Sequence, residues 1–243
     1  MLLLKPSVEI LHINTGALAL IETAGRTCYK SEGKIGCTVS QSQAMCVSDD
    51  CSTCPFHSST DFAKMILKRG HESVIEHVSA TVRFICDRGV SHEIVRHRLA
   101  SYSQESTRYC DYKAGHVAFV IPSWIEVKPG EYAGDALADL LIDHGDNDNA
   151  KAWLIAMDTC EAMYKEVRAM GWKPEQARSV LPNSLKTEIV MTANLREWRH
   201  FFRLRTAAAA HPQMREVACP LLEKFRQAIP VLFDDVGTTE SAV

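Results

Sequence analysis

The sequence predicts an α+β fold in a single domain, and three observations predict it. Two stretches, residues 78–86 and 185–193, alternate apolar and polar side chains at the strand period. Several longer stretches place apolar residues at helical spacing. Strands and helices follow one another without regular β-α-β alternation, which argues against a doubly wound parallel sheet.

Taken in order, DFAKMILKRGH reads as a helix with Phe62, Met65, Ile66 and Arg69 at helical spacing. Val78, Ala80, Val82, Phe84 and Cys86 alternate with Ser79, Thr81 and Arg83, giving a half-buried strand. Ser91 is placed to cap a following helix carrying Glu93, Ile94, Val95 and Arg96. Trp153, Met157, Cys160, Tyr164 and Val167 form a helical stripe that ends at Gly171. Leu185, Thr187, Ile189, Met191 and Ala193 make the second strand. Asn194 opens Asn-Leu-Arg-Glu, close to a capping box, so a helix with Leu195, Trp198 and Phe202 on one face starts there. The stretch 211–233 reads as helix, broken or kinked at Pro220. Residues 34–60, polar and rich in Ser and Cys, and 127–150, ending in a Gly, Asp and Asn cluster, read as surface insertions in a domain spanning 1–243.

Composition narrows the function. The 243 residues are 46% apolar and 23% charged, the balance of a soluble globular protein with a sizeable core. A net charge of −3 supplies no global attraction to nucleic acid or anionic lipid, so anion recognition has to be local. No apolar run reaches membrane-spanning length, and MLLLKPSVEI is too short for a signal peptide. Nine cysteines, an odd number, suit a reducing compartment, and the cytoplasm is the expected location.

The local charge is concentrated in RHRLASYSQESTRY, residues 96–109, where Arg96, His97 and Arg98 are followed by hydroxyl-rich sequence ending at Ser106 and Arg108. A second group, Arg196, Arg199, Arg203 and Arg205, crowds one short helix, with Arg178 before a Leu-Pro turn. Arginine presents planar paired donors suited to phosphate and carboxylate, and hydroxyls and loop amides complete such a cradle. The alternative is a solvated, salt-bridged face; two clusters, each beside hydroxyl or amide residues, favour phosphate binding. HESVIEH (71–77) is not a zinc-protease motif, because His71 and His77 face apart on a helix. Cys37, Cys46, Cys51 and Cys54 match no zinc-ribbon spacing well, leaving a metal site and free thiols both open. Nothing near Cys28 or Cys110 marks an activated nucleophile, and no standard nucleotide loop occurs.

The ordered set of these motifs resembles the flavin-dependent thymidylate synthases. Arg-His-Arg, seven residues, then Ser-x-Arg-Tyr is similar to the family signature. HESVIEH, the segment ARSVLPNSLKTEIVMTANLREWRHFFRLR (177–205), AHPQMRE and AGRTCYKS resemble family segments in the same order. The resemblance implies a mixed α/β core with a central, largely antiparallel sheet flanked by helices, assembled as a homotetramer with active sites at subunit interfaces. It implies reductive methylation of dUMP to dTMP, with methylenetetrahydrofolate as carbon donor, FAD as hydride carrier and NADPH as reductant. No metal, nucleic acid or membrane is expected to take part. By the same resemblance Arg205 activates the uracil. Glu93, Arg96, Gln104, Ser106, Arg108, Arg178 and Arg205 would bind dUMP. His71, Ser73, Glu76, Arg96, His97, Arg98, Gln104, Asn194, Arg196 and His200 would lie at the flavin. Glu93 stands where the family often has glutamine, Gln104 where it often has glutamate, and Ser103 where it often has asparagine.

Overall fold

A computed structural model describes residues 1–36, 58–144 and 148–237. Most of the cysteine-rich stretch, including Cys37, Cys46, Cys51 and Cys54, lies outside the described residues. The fold is α/β, with sheet structure flanked by helices. Backbone packing divides the chain into two compact units, one of Met1–Ser7, Phe84–Arg96 and Ser103–Ile189, the other of Val8–Arg83, His97–Tyr102 and Val190–Val243.

The strands form two sheets where the sequence suggested one. A three-stranded sheet has the order β5 (Ala118–Val120), β1 (Leu2–Leu4), β6 (Gly130–Glu131). In it β1 runs parallel to β5 and antiparallel to β6, so this sheet is mixed. A four-stranded sheet has the order β2 (Ser7–Ile13), β3 (Ser79–Asp87), β7 (Lys186–Asn194), β4 (Ala100–Gln104). Leu195 N donates to Val78 O, the Thr81 and Thr192 hydroxyls meet at 2.9 Å, and Arg88 N donates to Leu185 O. Partners therefore descend β7 as they climb β3, and this pair is antiparallel. Both strands alternate buried and half-buried residues, as their sequence period requires.

In the first unit, Leu3, Phe119, Ile121 and Leu185 pack with Leu154 and Met157 of the helix Asn149–Ala169. Asp148 caps that helix by accepting from Ala150 N at 2.8 Å, and Gly171 beyond its end takes φ 96°, the left-handed position anticipated there. The stretch 127–150, expected at the surface, places Val127, Leu137 and Ala150 in this core.

The second unit is built on an aromatic cluster. Trp198, Phe201 and Phe202 from the helix Leu195–Arg205 meet Phe225 and Phe233, with neighbouring ring centroids 5.0–5.8 Å apart. Such geometry adds to the stabilisation from burying large rings. The helix Pro212–Ala228 runs through Pro220 unbroken, with Val217, Leu221 and Phe225 buried along it. Burial of that face offsets the hydrogen bond that Pro220 cannot make.

Two local expectations change. The helix before the arginine run is Arg88–Ile94, capped by Asp87, whose carboxylate accepts from Val90 N at 2.9 Å. Ser91 lies inside it, its hydroxyl donating to Arg88 O, and Arg96 falls beyond the helix end. Asp87 captures the cap because strand β3 delivers it in extended conformation one turn earlier. HESVIEH forms a short 3-10 helix, Glu72–His77.

That short helix answers a buried charge. Arg199 is 1% exposed, and its guanidinium bonds both Asp235 carboxylate oxygens at 2.7 Å, the Leu232 carbonyl, and Glu72 at 3.3 Å. Arg203 also donates to Glu72, at 2.9 Å. Burial pushes the Glu72 carboxyl up, but the hydrogen bonds and charges of Arg203 and Arg199 outweigh it and hold the group below the usual glutamate range.

A Cβ built on Gly25, in the helix Ala17–Cys28, would lie 2.4 Å from Phe62 Cζ and 3.2 Å from a Val74 methyl. Gly25→Ala should therefore destabilise the protein by about 1–3 kcal/mol, read from urea unfolding midpoints; an unchanged midpoint would mean Phe62 moves aside freely. For Glu72 the sign follows from its depressed pKa: the stability it confers is present above the unfolded value and is lost as pH falls through the folded one. Glu72→Gln should lower the midpoint at neutral pH and flatten its decline in acid. Parallel curves for variant and parent would contradict this.

Candidate active site

The predicted site residues divide between the two units. Glu93, Arg96, Gln104, Ser106, Arg108 and Arg178 belong to the first; His71, Ser73, Glu76, His97, Arg98, Asn194, Arg196, His200 and Arg205 belong to the second.

In the first unit, strand β4 delivers Gln104 to a pair of buried hydroxyls. Its side-chain amide donates to Ser91 Oγ at 2.9 Å and to Thr187 Oγ1 at 3.1 Å. Because the Ser91 proton is already given to Arg88 O, the Ser91 oxygen must accept, which fixes which end of the Gln104 amide faces it. A carboxylate could not donate here, so glutamine in place of glutamate has a local reason. Ser106 then starts a tight turn: its carbonyl accepts from Tyr109 N and Cys110 N, and its hydroxyl from Arg108 N. Arg108 is exposed, with its guanidinium carbon 5.4 Å from the centre of the Tyr109 ring. Glu105, next to Gln104, is held by Lys186 and by the Tyr112 hydroxyl.

Beside this turn lies a cavity of about 410 Å³ whose polar lining is Arg88, Thr107, Glu175, Arg178, Ser179 and Asn183. Arg178 Nη1 reaches Thr107 Oγ1 at 3.4 Å. Arg88 Nη1 is buried and has no hydrogen-bond partner among the described residues. The cavity thus sets a buried, unmatched guanidinium donor beside a second arginine and two hydroxyls, with one carboxylate, Glu175, on the same lining. The sequence reading missed Arg88, which stands next to the capping Asp87 with no motif marking it.

In the second unit the four arginines of the helix Leu195–Arg205 part company. Arg196 pairs with Glu76 at 2.5 Å, and Arg199 and Arg203 with Glu72. For these three the salt-bridged reading applies. Arg205 is different: its Nε donates to His97 Nε2 at 3.1 Å. His97 Nδ1 lies 2.9 Å from Glu197 Oε1. Asn194 caps the helix by accepting from Glu197 N at 2.9 Å, so the Asn-Leu-Arg-Glu start is borne out at its asparagine, while the Glu197 carboxylate reaches His97. Exposure alternates along Arg96, His97 and Arg98, with the histidine 3% exposed between two exposed arginines. His97 also packs on Phe201 and edge-on to His200. Burial lowers its pKa, Glu197 raises it, and Arg205 and His200 lower it further, leaving it below the usual histidine value. His71 Nδ1 meets the Tyr29 hydroxyl at 2.5 Å; Ser73 is exposed.

His97, Glu197 and His200 bring potential metal-ligand atoms within 4.8 Å of one another. Both ring nitrogens of His97 are engaged, one by the Glu197 carboxylate and one by the Arg205 guanidinium.

Residues 9–231 match the family model described as thymidylate synthase complementing protein. A flavin-dependent thymidylate synthase of Geobacter sulfurreducens is 30% identical over 220 residues, covering 90% of this chain and 82% of the relative. One from Corynebacterium efficiens is 33% identical over 226 residues, covering 90% and 80%. One from Pyrococcus furiosus is 38% identical over 162 residues, covering 65% and 59%. Among solved structures, a UMP/dUMP methylase PolB from Streptomyces cacaoi bound with 5-Br dUMP shares the fold, with TM-score 0.68 at 24% identity and 96% of each chain covered. A match that spans nearly the whole chain, with relatives of the same name at 30% identity or more, places the chain in the flavin-dependent thymidylate synthase family.

Proposed function

We propose that this chain works as a single flavin-dependent thymidylate synthase domain, converting dUMP to dTMP with methylenetetrahydrofolate as carbon donor and NADPH as reductant. The observation that carries this is the match over residues 9–231, joined by relatives of that name covered to 80% or more of their length. The working form is a cytoplasmic homotetramer with active sites at subunit interfaces; no described helix is long and apolar enough to cross a membrane.

In this reading Glu93, Arg96, Gln104, Ser106, Arg108 and Arg178 bind dUMP, and Arg88 joins them. The cavity beside the Ser106 turn supports it, since its two arginines and hydroxyls suit a phosphate dianion. Arg205 activates the uracil by favouring the N3-deprotonated base.

FAD is held by His71, Ser73, Glu76, Arg96, Arg98, Gln104, Asn194, Arg196 and His200, with His97 among them. The donor set fits such a group: Arg96 and Arg98 are exposed cations suited to a pyrophosphate. Both His97 ring nitrogens are engaged within the chain, so the arginines of the Arg-His-Arg run carry the polar contacts. When bound, the flavin supplies hydride chemistry, and the protein's part is to orient the uracil against it.

Purified protein should carry flavin absorbance and release tritium from C5-labelled dUMP when folate and NADPH are present. A protein that binds no flavin and leaves dUMP unchanged would overturn the reading. Arg205→Ala should abolish tritium release while flavin stays bound. At a dUMP concentration of 100 Kd, ligand should stabilise the protein by about 2.7 kcal/mol, seen as a raised Tm. Arg88→Met should lose most of that shift, whereas an undiminished shift would remove Arg88 from the nucleotide site.

A further inference from the structure

Arg205 reaches its place through two other side chains. Its Nε donates to His97 Nε2 at 3.1 Å, and a guanidinium has donors only, so Nε2 must present its lone pair. The ring proton therefore sits on Nδ1, 2.9 Å from the Glu197 carboxylate, which accepts it. One tautomer of neutral histidine satisfies both contacts; the other would aim N–H against N–H at Arg205. The ring has little freedom to turn. Phe201 lies 4.9 Å and His200 5.5 Å from its centre, and the Tyr102 hydroxyl donates to the His97 carbonyl at 2.6 Å. Glu197, Arg205, His200 and Tyr102 are the titratable or charged groups facing it. Glu197 is fixed in turn, being 7% exposed, with its own amide bonded to the Asn194 cap.

We propose that Glu197 is a positioning residue for the methylation reaction: through the His97 tautomer it fixes the plane of the Arg205 guanidinium. This rests on the reading that Arg205 activates the uracil. It adds a residue outside the Arg-His-Arg signature and gives the asparagine cap a second purpose, since the cap holds Glu197 where its carboxylate meets His97. With the carboxylate removed, the histidine can adopt either tautomer, and the Nε donor of Arg205 loses its fixed acceptor.

The test uses flavin-loaded enzyme. Glu197→Ala should lower kcat by roughly 100-fold, the scale of loss when a reacting group is misplaced by about an ångström. KM for dUMP and flavin content should stay within twofold of the parent. Glu197→Gln, which keeps an acceptor oxygen but can flip, should recover part of the lost rate. In ¹⁵N-histidine spectra, with the His97 signals assigned by their absence in His97→Gln, the parent should show an Nδ1-protonated ring and Glu197→Ala a tautomer mixture. Should the Ala variant not fold, the kcat and spectrum of Glu197→Gln decide alone, with at least a fivefold loss expected. The proposal is overturned if kcat is unchanged, if only KM rises, or if rate falls only in proportion to lost flavin. Arg205→Ala measured alongside separates the premises. Retained turnover there sinks the Arg205 role itself; lost turnover with a fully active Glu197→Ala sinks only the relay.

Discussion

A guanidinium at 1% exposure has to be answered on nearly every side, and the second unit is organised around answering Arg199. Its charge cannot be removed by deprotonation, so the alternative to pairing is a desolvation cost of several kcal/mol. Asp235 supplies two oxygens, Leu232 a carbonyl, and Glu72 a shared carboxylate. Leu232 lies in the last helix, Pro230–Phe233, Asp235 just beyond it, and Glu72 in the short HESVIEH helix, so satisfying one residue ties three distant stretches of sequence together. The same helix that buries Arg199 on one side buries Trp198, Phe201 and Phe202 in the aromatic cluster. Packing and charge pairing fix its position together, and Glu197 and Arg205 are carried on it.

Cations serve opposite ends in this chain according to what surrounds them. Arg199 and Arg203 are neutralised by Glu72 and Asp235, and their charge is spent on architecture, while Arg196 pairs with Glu76 at the surface. Arg205 also meets the neutral ring of His97, whose lone pair gives its Nε donor a fixed direction. Arg88 has a buried donor with no partner among the described residues, and it lines a cavity with Arg178. A net charge of −3 is thus compatible with anion recognition, because acidic residues cluster where the arginines are structural.

Much of the fold was legible because burial imposes periodicity. The alternation in 78–86 and 185–193 gave both long strands, and Gly171 and Asn194 marked helix ends by backbone chemistry that acts locally. Ser91 misled because two residues one turn apart both have side chains able to cap a helix start, and the strand geometry at Asp87 decided between them. The stretch 127–150 looked like surface because its polar turn residues dominate, while Val127 and Leu137 are scattered apolar positions with no visible period.

By itself the sequence determined the family, through ordered motifs whose residue types and spacing are chemically specific, and with it the list of residues to inspect. Only the tertiary structure decided which partners the arginines of the helix Leu195–Arg205 meet, because those lie up to 131 positions away, as Glu72 is from Arg203. It also decided that His97, between two exposed arginines, turns inward to join Glu197 and Arg205. Hydrogen-bond donors and acceptors act over about 3 Å in space, and nothing in the order of residues along a chain measures that distance.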